Sequence, residues 1–421
     1  MIRKHTEQFG YIKSGLNINS LQNSDCILKH FSANVAEISN IVAVVYPDIK
    51  TLEKADSIEM ILGLSRHDSG QESDDSSKCL RITQHYVSFF LQIVGGRELP
   101  GLLVNEIGGI HGVLHSHVEF LKKHFYLITM KEFIEDRKHL SKKVQAIYLW
   151  WHKPVIDQEL LQSLPNLKVI ANSGVGMDHL DLKLVATFGV KMANAPRAVS
   201  SSTADTGMAL LLASARRLVE GCHVAVSPAM EYCEADFLGV KVTRATLGII
   251  GMGSIGYKIA LRARAFEMNI LYHNRTRKKT HEEQLVGAVY CEKIDSLLQQ
   301  SDFVMVVVSL TPQTHKLIGK REMELMKPTA TLINISRGAV VDQEALVRAL
   351  QDGVIRAAAL DVTYPEPLPR DHPLLKLKNI IITPHLGIKT EKATRMITEE
   401  AVENILAALN GLPIPNEVLP S

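Results

Sequence analysis

Cysteine is scarce and scattered in this 421-residue chain. The five, Cys26, Cys79, Cys222, Cys233 and Cys291, are odd in number and never form a C-x-x-C pair. That pattern argues against a disulfide framework and against a thiolate metal site, and it points to a reducing compartment, the cytoplasm. Long apolar runs are missing as well. Stretches such as Ile41 to Tyr46 fall well short of the roughly 20 residues needed to cross a bilayer. An excess of one charge is the third absence. The formal net charge is +2, so no global field argues for nucleic acid or a membrane surface as a partner. Met1-Ile2-Arg3-Lys4-His5 is not followed by an apolar core with a small-residue cleavage site, which argues against a secretory signal. The first thirty residues carry few acids, a trait shared with mitochondrial presequences, the alternative address.

What is present is ordinary globular material, 46% hydrophobic and 22% charged, in a length that suits two domains and an extra segment. Residues 1–98 read as an unassigned, partly disordered extension. They include His67-Asp68-Ser69-Gly70-Gln71-Glu72-Ser73-Asp74-Asp75-Ser76-Ser77, too polar to bury the surface that ordering requires. From Leu99 onward, strands and helices alternate. Leu102-Leu103-Val104, Ala146 to Leu149 and Leu167 to Ala171 read as strands, with a helix near His115 to His124. A long helix, apolar nearly all round, is expected from the cap-rich Ser200-Ser201-Ser202-Thr203 to about Leu218. Such a helix should be buried at a domain or subunit interface.

A second series has strand signals at Thr246 to Ile250, Asn269 to Tyr272, Phe303 to Val308, Ala330 to Asn334, Ala357 to Asp361 and Ile380 to Thr383. Helices between most of them predict a doubly wound parallel sheet. A closing helix, Lys392 to Leu409, should return to the first domain. The expected fold is α/β: a Rossmann cofactor domain over 197–384, and a smaller flavodoxin-like α/β substrate domain made of 99–196 and 385–421.

Gly251-Met252-Gly253-Ser254-Ile255-Gly256 is a G-x-G-x-x-G directly between an apolar strand and a helix. The first glycine permits the tight turn, the second lets backbone approach a pyrophosphate, and the third allows helix to pack on strand. The helix N-terminus, opening at Ser254 and Ile255, presents free N–H groups to phosphate. At the end of the next strand an acid would bind the ribose of NAD. Here stands His273-Asn274-Arg275-Thr276-Arg277-Lys278-Lys279, with no carboxylate. Arg275 can pair with a 2′-phosphate, and Asn274 and Thr276 can hydrogen-bond to it. The reading is NADP(H); the plain alternative is a solvated basic turn.

Three later strand ends each deliver a chemically useful side chain. They are Asn334-Ile335-Ser336-Arg337-Gly338, Asp361-Val362-Thr363-Tyr364-Pro365-Glu366-Pro367-Leu368-Pro369, and Thr383-Pro384-His385-Leu386-Gly387. Carboxyl ends of strands are where open α/β sheets bind ligands. His111, His115 and His117 lack acids or cysteines at ligand spacing, so no metal site is expected and they read as helix-surface histidines.

With these runs and the Val175-Gly176-Met177-Asp178-His179 turn, residues 99–421 resemble the D-isomer-specific 2-hydroxyacid dehydrogenases, and among them the glyoxylate/hydroxypyruvate reductases. The resemblance implies NADPH-dependent reduction of small 2-keto acids to D-2-hydroxy acids by a homodimer. Arg337 would bind the keto-acid carboxylate and polarise the carbonyl, His385 would be the general acid, and Glu366 would hold the imidazole and favour its charged form. Backbone N–H groups of Val175 and Gly176 would hold the substrate carboxylate, and Ser309, Ile335, Asp361 and Gly387 would line the cofactor. Two departures touch substrate choice. Glu231 to Val240 carries no tryptophan where the resemblance implies one, and Ile388 stands where a small hydroxyl residue is usual. A longer acid such as 2-ketogluconate therefore joins glyoxylate and hydroxypyruvate as a candidate. A dinucleotide-sensing transcriptional corepressor of the same superfamily is the alternative function, disfavoured by the basic loop; a catalytically dead scaffold would need a broken trio.

Overall fold

Two parallel sheets, each interleaved with helices, appear in the computed structural model, which describes residues 98–227 and 237–419. Residues Leu99–Ser421 form one compact unit. The polar run 67–77, most of the arm 231–240, and Cys26, Cys79 and Cys233 lie outside the described residues.

The first sheet contains β1 (Gly101–Val104), β2 (Tyr126–Thr129), β3 (Val144–Leu149), β4 (Val169–Asn172) and β5 (Lys191–Ala193), parallel in the order β2-β1-β3-β4-β5. The second contains β6 (Thr246–Ile250), β7 (Asn269–His273), β8 (Ala288–Tyr290), β9 (Phe303–Val306), β10 (Thr331–Asn334), β11 (Ala357–Leu360) and β12 (Ile380–Ile382), all parallel in the order β8-β7-β6-β9-β10-β11-β12. A last short strand, β13 (Glu417–Val418), joins β5 antiparallel. The first five strands have the flavodoxin-like order and the second sheet the Rossmann order. Chain direction across the sheet reverses between β1 and β3 in one, and between β6 and β9 in the other, opening a crevice at the carboxyl ends of those strands.

Side chains alternate between two covered faces, so strands such as β1 and β4 are buried along their whole length. Leu103, Ile147 and Ile170 face one way, against Leu160 and Leu161 of the helix Gln158–Ser163. Leu102, Ala146, Tyr148 and Val169 face the other way, against Ile397, Ala401 and Ile405 of the helix Glu391–Leu409. The strand β8 has only three residues at a sheet edge, too short to raise a periodic signal in the sequence.

The long central helix corrects the sequence reading. It runs Pro196–Ala215, with Pro196 at its first turn, where the missing N–H costs nothing. Ser200, Ser202 and Thr203 are therefore buried inside the helix rather than capping it. Its two ends serve different cores: Ala198 and Val199 join that of the first sheet, whereas Ala204, Met208 and Leu211 join that of the second. The chain then breaks at Arg217, in the left-handed region, and continues as the helix Leu218–Val226. His117 is a second correction. It is buried, at 6% exposure, and its Nδ1 lies 2.9 Å from the Thr398 hydroxyl, because its helix packs under Glu391–Leu409. His115 alone of the three is an exposed helix residue.

Ile397 is fully buried between that last helix and the first sheet. Ile397→Ala removes its side chain from a closed core, and a loss of about 2–5 kcal/mol in unfolding free energy is expected by urea denaturation.

Candidate active site

The glycine turn after β6 shows why each glycine stands where it does. Gly251 has φ +100°, and a Cβ there would sit 2.5 Å from the Val307 carbonyl oxygen. A Cβ on Gly256 would overlap the Gly251 carbonyl, so the helix Ser254–Ala265 could not start so near the strand. Gly253 differs: nothing lies within 4 Å of its Cβ position, which leaves open space above the helix N-terminus. That space, beside unpaired N–H groups, fits a dinucleotide pyrophosphate.

Asn274 braces this turn. Its Oδ1 accepts the Met252 N–H at 2.6 Å, so the side chain read from the sequence as a phosphate donor is bonded to the glycine loop. Arg275 and Thr276 are exposed, and Arg275 forms no ion pair among the described residues. Arg277 looks similar in sequence but is held by Glu283 through two bonds of 2.8 Å. Those bonds, with the Tyr272 hydroxyl, hold the Glu283 carboxyl down at about 2.

Arg337 leaves β10 in a loop organised by Asn334, whose Oδ1 accepts the Ser336 N–H (3.0 Å) and whose Nδ2 donates to the Arg337 carbonyl (2.9 Å). The guanidinium Nε donates to Asp178 at 3.0 Å. Its Nη2 lies so close to Gly176 that a Cβ there would overlap it. The turn after β4 and the tip of β10 therefore meet across the crevice. Carbonyls of Val175 and Gly176 accept from Asn194 and Asn172. Their N–H groups have no partner among the described residues.

His385 follows β12 in the left-handed region, φ +54°. Its Nδ1 lies 3.1 Å from Glu366 Oε2, and the other Glu366 oxygen accepts the Thr363 N–H at 3.0 Å. Burial pushes the Glu366 carboxyl up, but the His385 ring, the Thr363 N–H and the Arg337 charge outweigh it and hold it below the usual carboxylate range. Asp361, 1% exposed, accepts from the Thr383 hydroxyl (2.7 Å) and from the N–H groups of Leu386 (2.7 Å) and Gly387 (2.9 Å). Ser202 donates to the Gly387 carbonyl at 2.7 Å. Asp361 and Gly387 thus build the His385 loop. Ile335 packs its side chain into the core of the second sheet, whereas Ser309 is exposed. Ile388 packs against the first sheet's core.

Sequence reasoning missed Trp151, His152, Asp178 and His179 as neighbours of this site. Trp151 stands edge-on to His385 with ring centres 5.3 Å apart, and Lys389 lies 4.1 Å above the Trp151 ring. The signal available was the Trp150-Trp151-His152 run directly after β3, at a strand's carboxyl end beside a switch point. Near the site, a cavity of about 650 Å³ is lined by Asp178, Asp181, Lys183, Leu310, Thr311 and His315.

Residues 208–387 match the family model of the D-isomer specific 2-hydroxyacid dehydrogenase NAD binding domain. A glyoxylate reductase of Thermococcus litoralis is 42% identical over 268 residues, 62% of this chain and 80% of that protein. A glyoxylate/hydroxypyruvate reductase B of an Enterobacter species is 40% identical over 295 residues, 69% of this chain and 90% of that one. The chain belongs to the D-isomer specific 2-hydroxyacid dehydrogenase family. Among solved structures, an NADPH-dependent glyoxylate/hydroxypyruvate reductase of Sinorhizobium meliloti in complex with NADP and malonate superposes with a TM-score of 0.65. It is 26% identical, over 76% of this chain and 97% of that one. The chain is an oxidoreductase with an NAD(P)-binding domain, which agrees with the open cradle at Gly253.

Gly253→Ala adds a methyl group into that free space, so the thermal midpoint should stay within about 2 °C of the parent. Dinucleotide binding, followed by nicotinamide fluorescence, should weaken at least about tenfold, since the methyl occupies the pyrophosphate's place.

Proposed function

We propose that this chain reduces small 2-keto acids to D-2-hydroxy acids with NADPH, acting on glyoxylate and hydroxypyruvate, with 2-ketogluconate as a longer candidate. The observation that carries the reading is the His385–Glu366 pair, 3.1 Å apart, with Arg337 near enough to act on the Glu366 carboxyl. The relatives named above support the substrate class. In this reading residues 197–384 bind the cofactor, and residues 99–196 and 385–421 hold the substrate. The scatter of cysteines supports a cytoplasmic setting.

A bound nicotinamide dinucleotide supplies the hydride. Arg337 and the free N–H groups of Val175 and Gly176 hold the substrate carboxylate, and the guanidinium draws electron density from the adjacent carbonyl. His385, with Nδ1 turned to Glu366, presents Nε2 and gives its proton to the keto oxygen; in the oxidative direction the same nitrogen takes it back. Glu366 balances the imidazolium charge and fixes the ring plane. Preference for NADPH is supported by the basic turn after β7, where Arg275 is unpaired among the described residues. Arg277 is committed to Glu283.

The purified protein should oxidise NADPH when glyoxylate or hydroxypyruvate is added. His385→Ala should lower kcat by about 10²-fold or more, and Arg275→Ala should raise KM for NADPH about tenfold while leaving that for NADH little changed. Activity that survives the first change overturns the acid assignment, and equal use of NADH by the parent overturns the cofactor assignment.

A homodimer completes the proposal. Since Pro196–Ala215 is largely buried within the chain, the surface that would mediate it is its continuation Leu218–Val226, with Leu218, Val219 and Val226 exposed. Apolar side chains in such a row mark association surfaces. Light scattering should report the mass of two chains, and Val219→Asp should shift it toward one.

A further inference from the structure

The loop after β3 turns through Trp151 (φ +50°) and His152 (φ +61°), closed by paired backbone bonds between Trp150 and Lys153 of 3.0 and 3.2 Å. Two consecutive bulky residues in the left-handed region are strained, and such strain gathers at ligand sites. The turn sets the His152 ring on the His179 ring, with centres 4.0 Å apart and planes 23° apart. His179 comes from the Val175–His179 turn that meets Arg337. Both of its ring nitrogens are buried and lack a hydrogen-bond partner among the described residues. His152 is itself exposed and makes no hydrogen bond among the described residues.

Unsatisfied buried polar atoms are rare and call for a ligand or water. This pair adjoins the reactive groups, for Arg337, Asp178, His385 and Glu366 all act electrostatically on His152. Partial desolvation by its neighbours and then the Arg337 charge hold the exposed His152 below its ordinary value; burial and then His152 hold His179 down at about 4. Both rings are therefore neutral near pH 7, and each offers one donor and one acceptor. A hydroxyl, which donates and accepts, matches such a ring. A second carboxylate on the substrate does not, since the rings carry no charge to pair with it and Asp178 stands beside them.

Resting on the reductase reading above, we propose that the His152–His179 pair receives the hydroxyl on C3 of a 2-keto acid, so that 3-hydroxylated substrates are preferred to their unhydroxylated counterparts. Trp151, edge-on to His385, ties the position of this pair to that of the proton donor.

Hydroxypyruvate and pyruvate differ by this one hydroxyl, and the ratio of their kcat/KM values with the full-length protein is the readout. The parent should favour hydroxypyruvate by about tenfold or more. His152→Phe and His179→Phe, which keep the stack and remove the nitrogens, should each lower that ratio about tenfold, the effect of one lost hydrogen bond. His152→Gln, which restores a donor and an acceptor, should keep it within about threefold of the parent. If a Phe variant fails to fold, His152→Ala set against His152→Gln makes the same comparison. A ratio near one in the parent, or one unmoved in the Phe variants, overturns the subsite while the reductase reading stands. A parent inert toward every 2-keto acid overturns the reductase reading, and the subsite with it.

Discussion

One buried carboxylate governs the geometry of the site. Asp361 accepts three hydrogen bonds through its side chain, from Thr383, Leu386 and Gly387, and its carbonyl takes the His385 N–H at 2.9 Å. A carboxylate removed from water is tolerable only when matched donors surround it. Here those donors are the Thr383 hydroxyl and two backbone N–H groups of the loop it shapes. The left-handed backbone of His385 is strained by about 1–3 kcal/mol and would relax without that anchor. Ser202 adds a second tie, from the central helix to the Gly387 carbonyl. Asp361, Thr383, Leu386, Gly387 and Ser202 together hold the loop that brings the imidazole to Glu366.

The second constraint spans the crevice. Arg337 belongs to the second sheet and Asp178 to the turn after β4 of the first. A planar guanidinium held through Nε keeps a fixed orientation, and here its Nη2 is directed at Gly176. The Arg337 side chain and the backbone of Val175 and Gly176 are thereby set against each other. The helix Pro196–Ala215 reinforces this by burying one end in each core, so that the two sheets share a rigid element.

The nucleotide end illustrates how residue type underdetermines role. Arg275 and Arg277 are two positions apart in one basic turn, yet one is open to solvent and the other is locked onto Glu283, which also holds the Tyr272 hydroxyl at 2.5 Å. Asn274 carries the chemistry of a phosphate donor but braces the glycine loop. Arg277 finds its acceptor 6 residues on and Asn274 finds its donor 22 residues back in the glycine turn, and residue type alone dictates neither pairing.

The sequence by itself determined the larger frame. Alternating apolar strands and helices, with three glycines between a strand and a helix, dictate a doubly wound sheet, because period and turn sterics are local properties. Arg337, Glu366 and His385 were legible for the same reason: strand tips in such a sheet converge on one crevice. Tertiary structure alone decided that Ser202 lies inside a helix and reaches Gly387, that Asp361 shapes the His385 loop, and that Asp178, His152 and His179 join the site. Ser202 and Asp178 lie 185 and 159 positions before the Gly387 and Arg337 they bind. Contacts over such separations follow from how two sheets pack, which no short stretch of sequence encodes.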